Sequence, residues 1–185
     1  MMDLKKLKEP LKISDIDFRI QSINKGKYAT ILAYKDARVD MNRLDAVIGQ
    51  GMWQRDHKEI KGVIYCGIGI LVQQRHNGDP VENWVWKWDA GTESMAEKQK
   101  GEASDSFKRA GFNWGIGREL YDYPIISIKL FDNEVTEYNG KFKASFNLKL
   151  KEWKWISQFT DGKINALAAQ DNNGKTRFNW GKFTK

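Results

Sequence analysis

The chain has little of what catalytic and secreted proteins are commonly built from. Its 185 residues include one cysteine, two histidines and three prolines. One cysteine cannot close an internal disulfide, which fits a reducing compartment. Cys66 lies in the apolar run Val63 to Val72, where a small buried thiol is expected rather than a nucleophile. His57 and His76 are separated by strand-like sequence, and no cysteine or carboxylate stands at zinc-ligand spacing to them. The carboxylates are scattered, with Asp15 and Asp17 on a candidate loop and Glu93, Glu97 and Glu102 around a helix. Nothing in the sequence makes them converge as a two-metal nuclease requires. Glycine patterns exclude nucleotide loops. Gly67-Ile68-Gly69 lies inside a strand-like run, and Gly111 to Gly117 ends a helix instead of opening one. Close packing and a helix stop explain both. No apolar run reaches the roughly 18 residues of a spanning helix. The N-terminus MMDLKKLKEPLKI lacks the apolar stretch and cleavage site of a secretory signal. The expectation is a soluble cytoplasmic protein that is not an enzyme and carries no metal or other cofactor.

What is present is positive charge and aromatic mass. The formal net charge is +7, which favours a polyanion or an anionic membrane surface as partner. With 41% hydrophobic residues and eight tryptophans, the chain can build a real core. Its length fits one domain of ordinary size, or a domain with a small appendage.

Periodicity alternates along the chain. Residues 1–27 form an N-terminal segment, a docking strand or a flexible arm. Phe18 to Ile23 and Lys27 to Tyr34 read as strands. From Asp36, Val39, Leu44, Val47 and Ile48 share one helical face, and Gly49-Gln50-Gly51 stops that helix. Lys58 to Gln73 and Val81 to Trp88 then read as an antiparallel meander with a turn at Asn77-Gly78-Asp79-Pro80. Trp84, Trp86 and Trp88 share one face and are expected in the core rather than as a base-stacking platform. Ser94 to Glu97 has capping-box spacing, so a long helix is expected over about Met95 to Trp114, burying Ala96, Ala103, Phe107, Ala110 and Trp114. Beyond Pro124, Ile125 to Phe131, the alternating stretch Lys141 to Trp155, Lys163 to Ala169 and Lys175 to Trp180 are candidate strands. Asp171-Asn172-Asn173-Gly174 is a hairpin signal between the last two.

The stretch Lys98 to Pro124 concentrates the chemistry. Lys100 and Lys108 line one wet face of the helix, Arg109 sits beside them, and Arg118 follows the glycine turn. Cations on a rigid element can contact successive phosphates without reading sequence. A solvated face balanced by Glu97, Glu102 and Asp105 is the alternative.

These residues carry a family resemblance. The run Ala103-Ser104-Asp105-Ser106-Phe107-Lys108-Arg109-Ala110, then Trp114-Gly115-Ile116-Gly117-Arg118, then Leu120-Tyr121-Asp122, resembles the Rad-fifty-two family of single-strand annealing proteins, in its bacteriophage (Sak-like) branch. A second block, Asp36-Ala37-Arg38-Val39 through Arg43-Leu44-Asp45 to Gly49 and Trp53, looks like the family's first helix and turn. The resemblance implies an α+β fold with a β-β-β-α annealing core, an antiparallel sheet packed on a long helix, over residues 28–124. Residues 125–185 would be a β-rich C-terminal extension continuous with it. It implies ATP-independent binding of single-stranded DNA and annealing of complementary strands, in recombination or repair, by a homo-oligomeric ring or helical filament. A host or phage single-strand-binding protein is a further implied partner, and a bacterial host cytoplasm the implied setting. Lys108 and Arg109 would grip the DNA backbone from the long helix, Arg38 or Arg43 from the first helix would close the groove, and Arg118, typical of the phage branch, would add a further cation. Eukaryotic members carry a further arginine where this chain has Phe112, and their first-helix arginine falls on Val39, beside Arg38. The alternative is an OB-like module that coats single strands without annealing them.

Overall fold

The computed structural model describes residues 3–76, 79–91 and 98–184, with backbone alone for 74–76, 79–80 and 98–100. The chain is α+β, and among the described residues it has antiparallel sheets and two α-helices. It divides into two compact units, Met1–Glu9 with Lys35–Arg118, and Pro10–Tyr34 with Glu119–Lys185. Among the described residues no helix is long and apolar enough to cross a membrane.

In the second unit, β1 (Asp17–Ile23) and β2 (Tyr28–Tyr34) form a hairpin. In the first unit, α1 (Ala37–Val47) follows, with Asp36 as its N-cap. The N–H of Ile48 closes on the carbonyls of Leu44 and Asp45, and Gly49, at φ +96°, takes the left-handed position that ends the helix. Next come β3 (Trp53–Ile60), β4 (Val63–His76) and β5 (Asp79–Ala90), paired in that order as one antiparallel sheet. Lys61 and Gly62 both have positive φ (53° and 79°), the signature of a two-residue hairpin turn between β3 and β4. The turn expected at residues 77–80 falls at Asn77 and Gly78 outside the described residues; Asp79 and Pro80 already belong to β5.

Described from Lys98 to Trp114, α2 packs against β4 and β5. The capping sequence Ser94 to Glu97 lies outside the described residues. Phe107, Ala110 and Trp114 recur at three and four residues, so they form one buried stripe against the sheet face of Cys66, Ile68 and Ile70. The Trp114 indole N–H donates to the Ile68 carbonyl at 2.9 Å. Full burial of each Phe or Ile contributes about 2 kcal/mol.

The opposite sheet face departs from expectation. Trp84, Trp86 and Trp88 are half-buried rather than core. Pairing sets Trp88 opposite Gly67 and Trp86 opposite Gly69. A Cβ at either glycine would come within 2.6 or 2.7 Å of the indole rings. The tryptophans therefore lie flat over the glycines, with neighbouring rings 5.6 and 6.4 Å apart, and Lys58 sits 4.3 Å over the Trp88 ring.

In the second unit, β6 (Ile126–Lys129) joins the first hairpin in the order β1-β2-β6. The strands β7 (Val135–Tyr138) and β8 (Lys141–Ala144) form a two-stranded ribbon. A three-stranded sheet of β9 (Lys154–Thr160), β10 (Lys163–Gln170) and β11 (Thr176–Gly181) completes the unit. The long strand expected over Lys141 to Trp155 is therefore broken at Ala144. There the Ser145 hydroxyl and Asn147 amide bond the Asn133 carbonyl, drawing the chain out of the ladder. Phe18 stacks on Trp155 with centroids 3.6 Å apart. Arg177, whose side chain is almost wholly buried, bonds Glu134 and Asp171 and lies over the Phe131 and Trp153 rings.

Candidate nucleic-acid interface

The start of α1 and the second half of α2 bring basic residues together. The Asp36 carboxylate accepts from the Arg38 backbone N–H at 2.8 Å and from Arg38 Nε at 2.9 Å. These bonds hold its carboxyl below the usual carboxylate range, and the Lys108 ammonium on α2 pulls the same way. Arg38 and Lys108, far apart in sequence, thus stand on two helices that pack together. The Arg38 side chain is 82% exposed, and Lys108 is half-buried on its helix.

Beneath them lies a buried ion pair. Lys35 is 1% exposed and Asp40 0%. The Lys35 ammonium donates to Asp40 Oδ1 and to the Lys108 carbonyl (3.4 Å), and sits 4.3 Å over the Phe112 ring. Asp40 Oδ2 is buried with no hydrogen-bond partner. Burial pushes the Asp40 carboxyl up to about 6, although Lys35 and Lys108 both oppose the rise.

The other expected contacts are dispersed. Arg109 pairs with Asp89 of β5 at 3.4 Å, and Asn113 donates to the second oxygen of that carboxylate. Arg43 donates to the carbonyls of Lys6 and Glu9 at 3.0 and 2.9 Å, tying the helical turn Leu4–Lys8 to α1. Arg118 donates to the Phe112 and Asn113 carbonyls, and Lys87 to the Asn113 carbonyl at 2.8 Å. Both cations thereby cap the C-terminus of α2, where the helix dipole favours positive charge. The side chain of Lys100 lies outside the described residues.

Sequence reading missed Lys87 and Lys35. Lys87 faces α2, 4.4 Å over the Trp114 ring, and burial, then Arg118 and Lys8, push its pKa down. Its signal was present, because strict alternation of Trp84, Trp86 and Trp88 turns Val85 and Lys87 to the helix side. Among the described residues no three His, Cys, Asp or Glu side chains gather as a metal site.

An α+β chain with antiparallel sheets and a cation-bearing helix across one of them is the class these features define. Residues 3–139 match the Rad52/22 family double-strand break repair protein, and the chain belongs to that family. No curated protein matches it individually.

Proposed function

We propose that this chain binds single-stranded DNA and anneals complementary strands in recombination or repair, without ATP, as an oligomeric ring or short filament. In this reading β3, β4, β5 and α2 are the β-β-β-α annealing core within residues 28–124, residues 125–185 extend it, and the bacteriophage branch is its place in the family. The observation that carries the reading is the packing of α1, which bears the exposed Arg38, against α2, which bears Lys108 and Arg109, inside the span that matches the repair family.

The mechanism follows from charge. Lys108 and Arg38 neutralise phosphates, and Arg109, only loosely held by Asp89, adds a third cation. Repeated around an assembly, such contacts lower repulsion between two strands and leave bases exposed for pairing. Arg118 and Arg43 spend N–H groups on backbone carbonyls, so their part is to hold α2 and the N-terminal turn in place, with the remaining charge adding to the field.

The test is annealing of complementary oligonucleotides with no nucleotide or metal added. Lys108→Glu combined with Arg109→Gln is expected to abolish both binding and annealing while leaving the assembly seen by electron microscopy. Glutamine at 109 avoids setting a second carboxylate against Asp89. Annealing at the wild-type rate by that variant overturns the site. The OB-like alternative predicts strand coating that slows annealing, and among the described residues the strands form separate small sheets.

A further inference from the structure

We propose that the buried Lys35–Asp40 pair is the positioning element of this interface, seating α1 against the Lys108–Phe112 turn of α2 and so setting the spacing between Arg38 and Lys108. The inference rests on the DNA-binding reading above.

Three observations point the same way. Lys35 reaches α2 twice, through the Lys108 carbonyl and the Phe112 ring, while its counter-ion Asp40 is on α1. Between those two contacts stands Gly111, where no larger residue fits. A methyl there would overlap Asp40 Oδ1 and crowd the Lys35 ammonium. Glycine is the poorest helix former after proline, so a glycine at this point of α2 marks a close approach. Finally, Asp40 stands four residues after Asp36, the N-cap of α1, so the helix turn that Lys35 anchors begins at the carboxylate that pairs with Arg38.

Breaking one side of a buried pair leaves the other charge uncompensated, and the structure around it moves to reach water. Loss of charge on Asp40 should therefore free Lys35 and shift the Lys108–Phe112 turn. The charged groups facing Asp40 are Lys35, from the segment before α1, and Lys108, from α2. Asp36 and Arg38 lie one turn away on α1, and Lys8, of the turn packed on α1, lies against Gly115 further along α2.

The sign of the pH effect separates positioning from unfolding. Folding raises the Asp40 pKa from 3.8 to about 6, so the folded chain holds this proton more tightly than the unfolded chain. The stabilisation from that proton is fully present below 3.8 and is lost as pH rises through about 6. Acidification to about pH 5 therefore neutralises Asp40 without unfolding the chain through this group. It should weaken DNA binding, whereas added positive charge ordinarily tightens binding to a polyanion.

Fluorescence anisotropy of the full chain with a labelled oligo-dT, at fixed salt, tests this. At about pH 7.5, Asp40→Asn is expected to bind about tenfold more weakly than wild type, the loss typical of a charged hydrogen bond, even though the change removes a negative charge beside Lys108. Wild-type affinity should fall by a similar factor between about pH 7.5 and pH 5, while that of Asp40→Asn holds or rises. Binding by folded Asp40→Asn as tight as wild type overturns the proposal, because a merely structural pair changes Tm and not Kd. If the variant does not fold, the wild-type profile decides, and an affinity that rises on acidification overturns it. Binding indifferent to Lys108→Glu with Arg109→Gln removes the DNA site itself. Binding sensitive to those changes but not to Asp40→Asn removes only the positioning role.

Discussion

At Gly111 a helix that would ordinarily gain from alanine meets a carboxylate instead. Gly→Ala inside a helix commonly stabilises by about 1 kcal/mol. Here the added methyl would overlap Asp40, so Gly111→Ala is expected to destabilise by roughly 1–3 kcal/mol, read from denaturant unfolding. The Arg118 hydrogen bonds have a smaller effect. Removing them with Arg118→Ala takes the side-chain donor from the Phe112 carbonyl, while Lys87 still holds that of Asn113, and should cost about 1 kcal/mol, with faster hydrogen exchange in the last turn of α2. At this scale the sequence showed Lys108 and Arg109 plainly, because a basic pair on an amphipathic helix has a visible face. It hid Lys35, since a lysine is read as solvated until tertiary packing covers it, and its partners lie on two helices. It also concealed the backbone-capping duties of Arg43 and Arg118, which depend on where carbonyls end up in space.

Among the elements, the hairpin turn at Lys61-Gly62 divides the strand-like run Lys58 to Gln73 between β3 and β4. Lys61-Gly62, Asn139-Gly140 and Asp161-Gly162 each place two consecutive residues at positive φ. Asparagine and aspartate tolerate that region readily, whereas lysine does so less. Lys61→Asn is therefore expected to raise stability by about 0.5–1 kcal/mol, measured as a rise in Tm. The helices were legible because each carries its own signals: the Val39, Leu44, Val47 and Ile48 face closed by Gly49 on α1, and the Phe107, Ala110, Trp114 stripe on α2. The stretch after Lys141 was not. Its alternation of Phe142, Ala144, Phe146 and Leu148 satisfies a strand pattern, yet Phe146 is 85% exposed and the ladder stops at Ala144. Local bonds from Ser145 and Asn147 outweigh the pattern there. The tryptophan face was placed correctly on one side of β5 but misread in depth, because the part played by Gly67 and Gly69 appears only once strands are paired.

For the whole molecule, the net charge of +7 makes ionic strength the natural variable. Plotted as log affinity against log salt, single-strand binding should be steep. Lys108→Gln should lower the slope by about 0.7 per protomer, as expected when one fewer phosphate is neutralised on a single strand. Arg43→Gln, whose wild-type side chain is committed to the carbonyls of Lys6 and Glu9, should change the slope less and Tm more. Composition alone carried the preference for a polyanion or an anionic membrane surface. The way the chain divides was not visible in it, because each compact unit is assembled from separated stretches.

That division bears on how the protein is made. The chain passes between units at Glu9–Pro10, at Tyr34–Lys35 and at Arg118–Glu119. During synthesis from the N-terminus, the β1-β2 hairpin emerges early, but the strand that covers its edge, β6, follows only after all of the first unit. Ala29 and Ile31 pair with Ile128 and Ile126, and all four are buried once β6 arrives. Until then a nascent chain carries an unpaired apolar strand edge beside a unit already long enough to fold. A product truncated after Arg118 keeps that edge permanently, so it is expected to aggregate more than the full chain when the two are expressed side by side and compared by sedimentation.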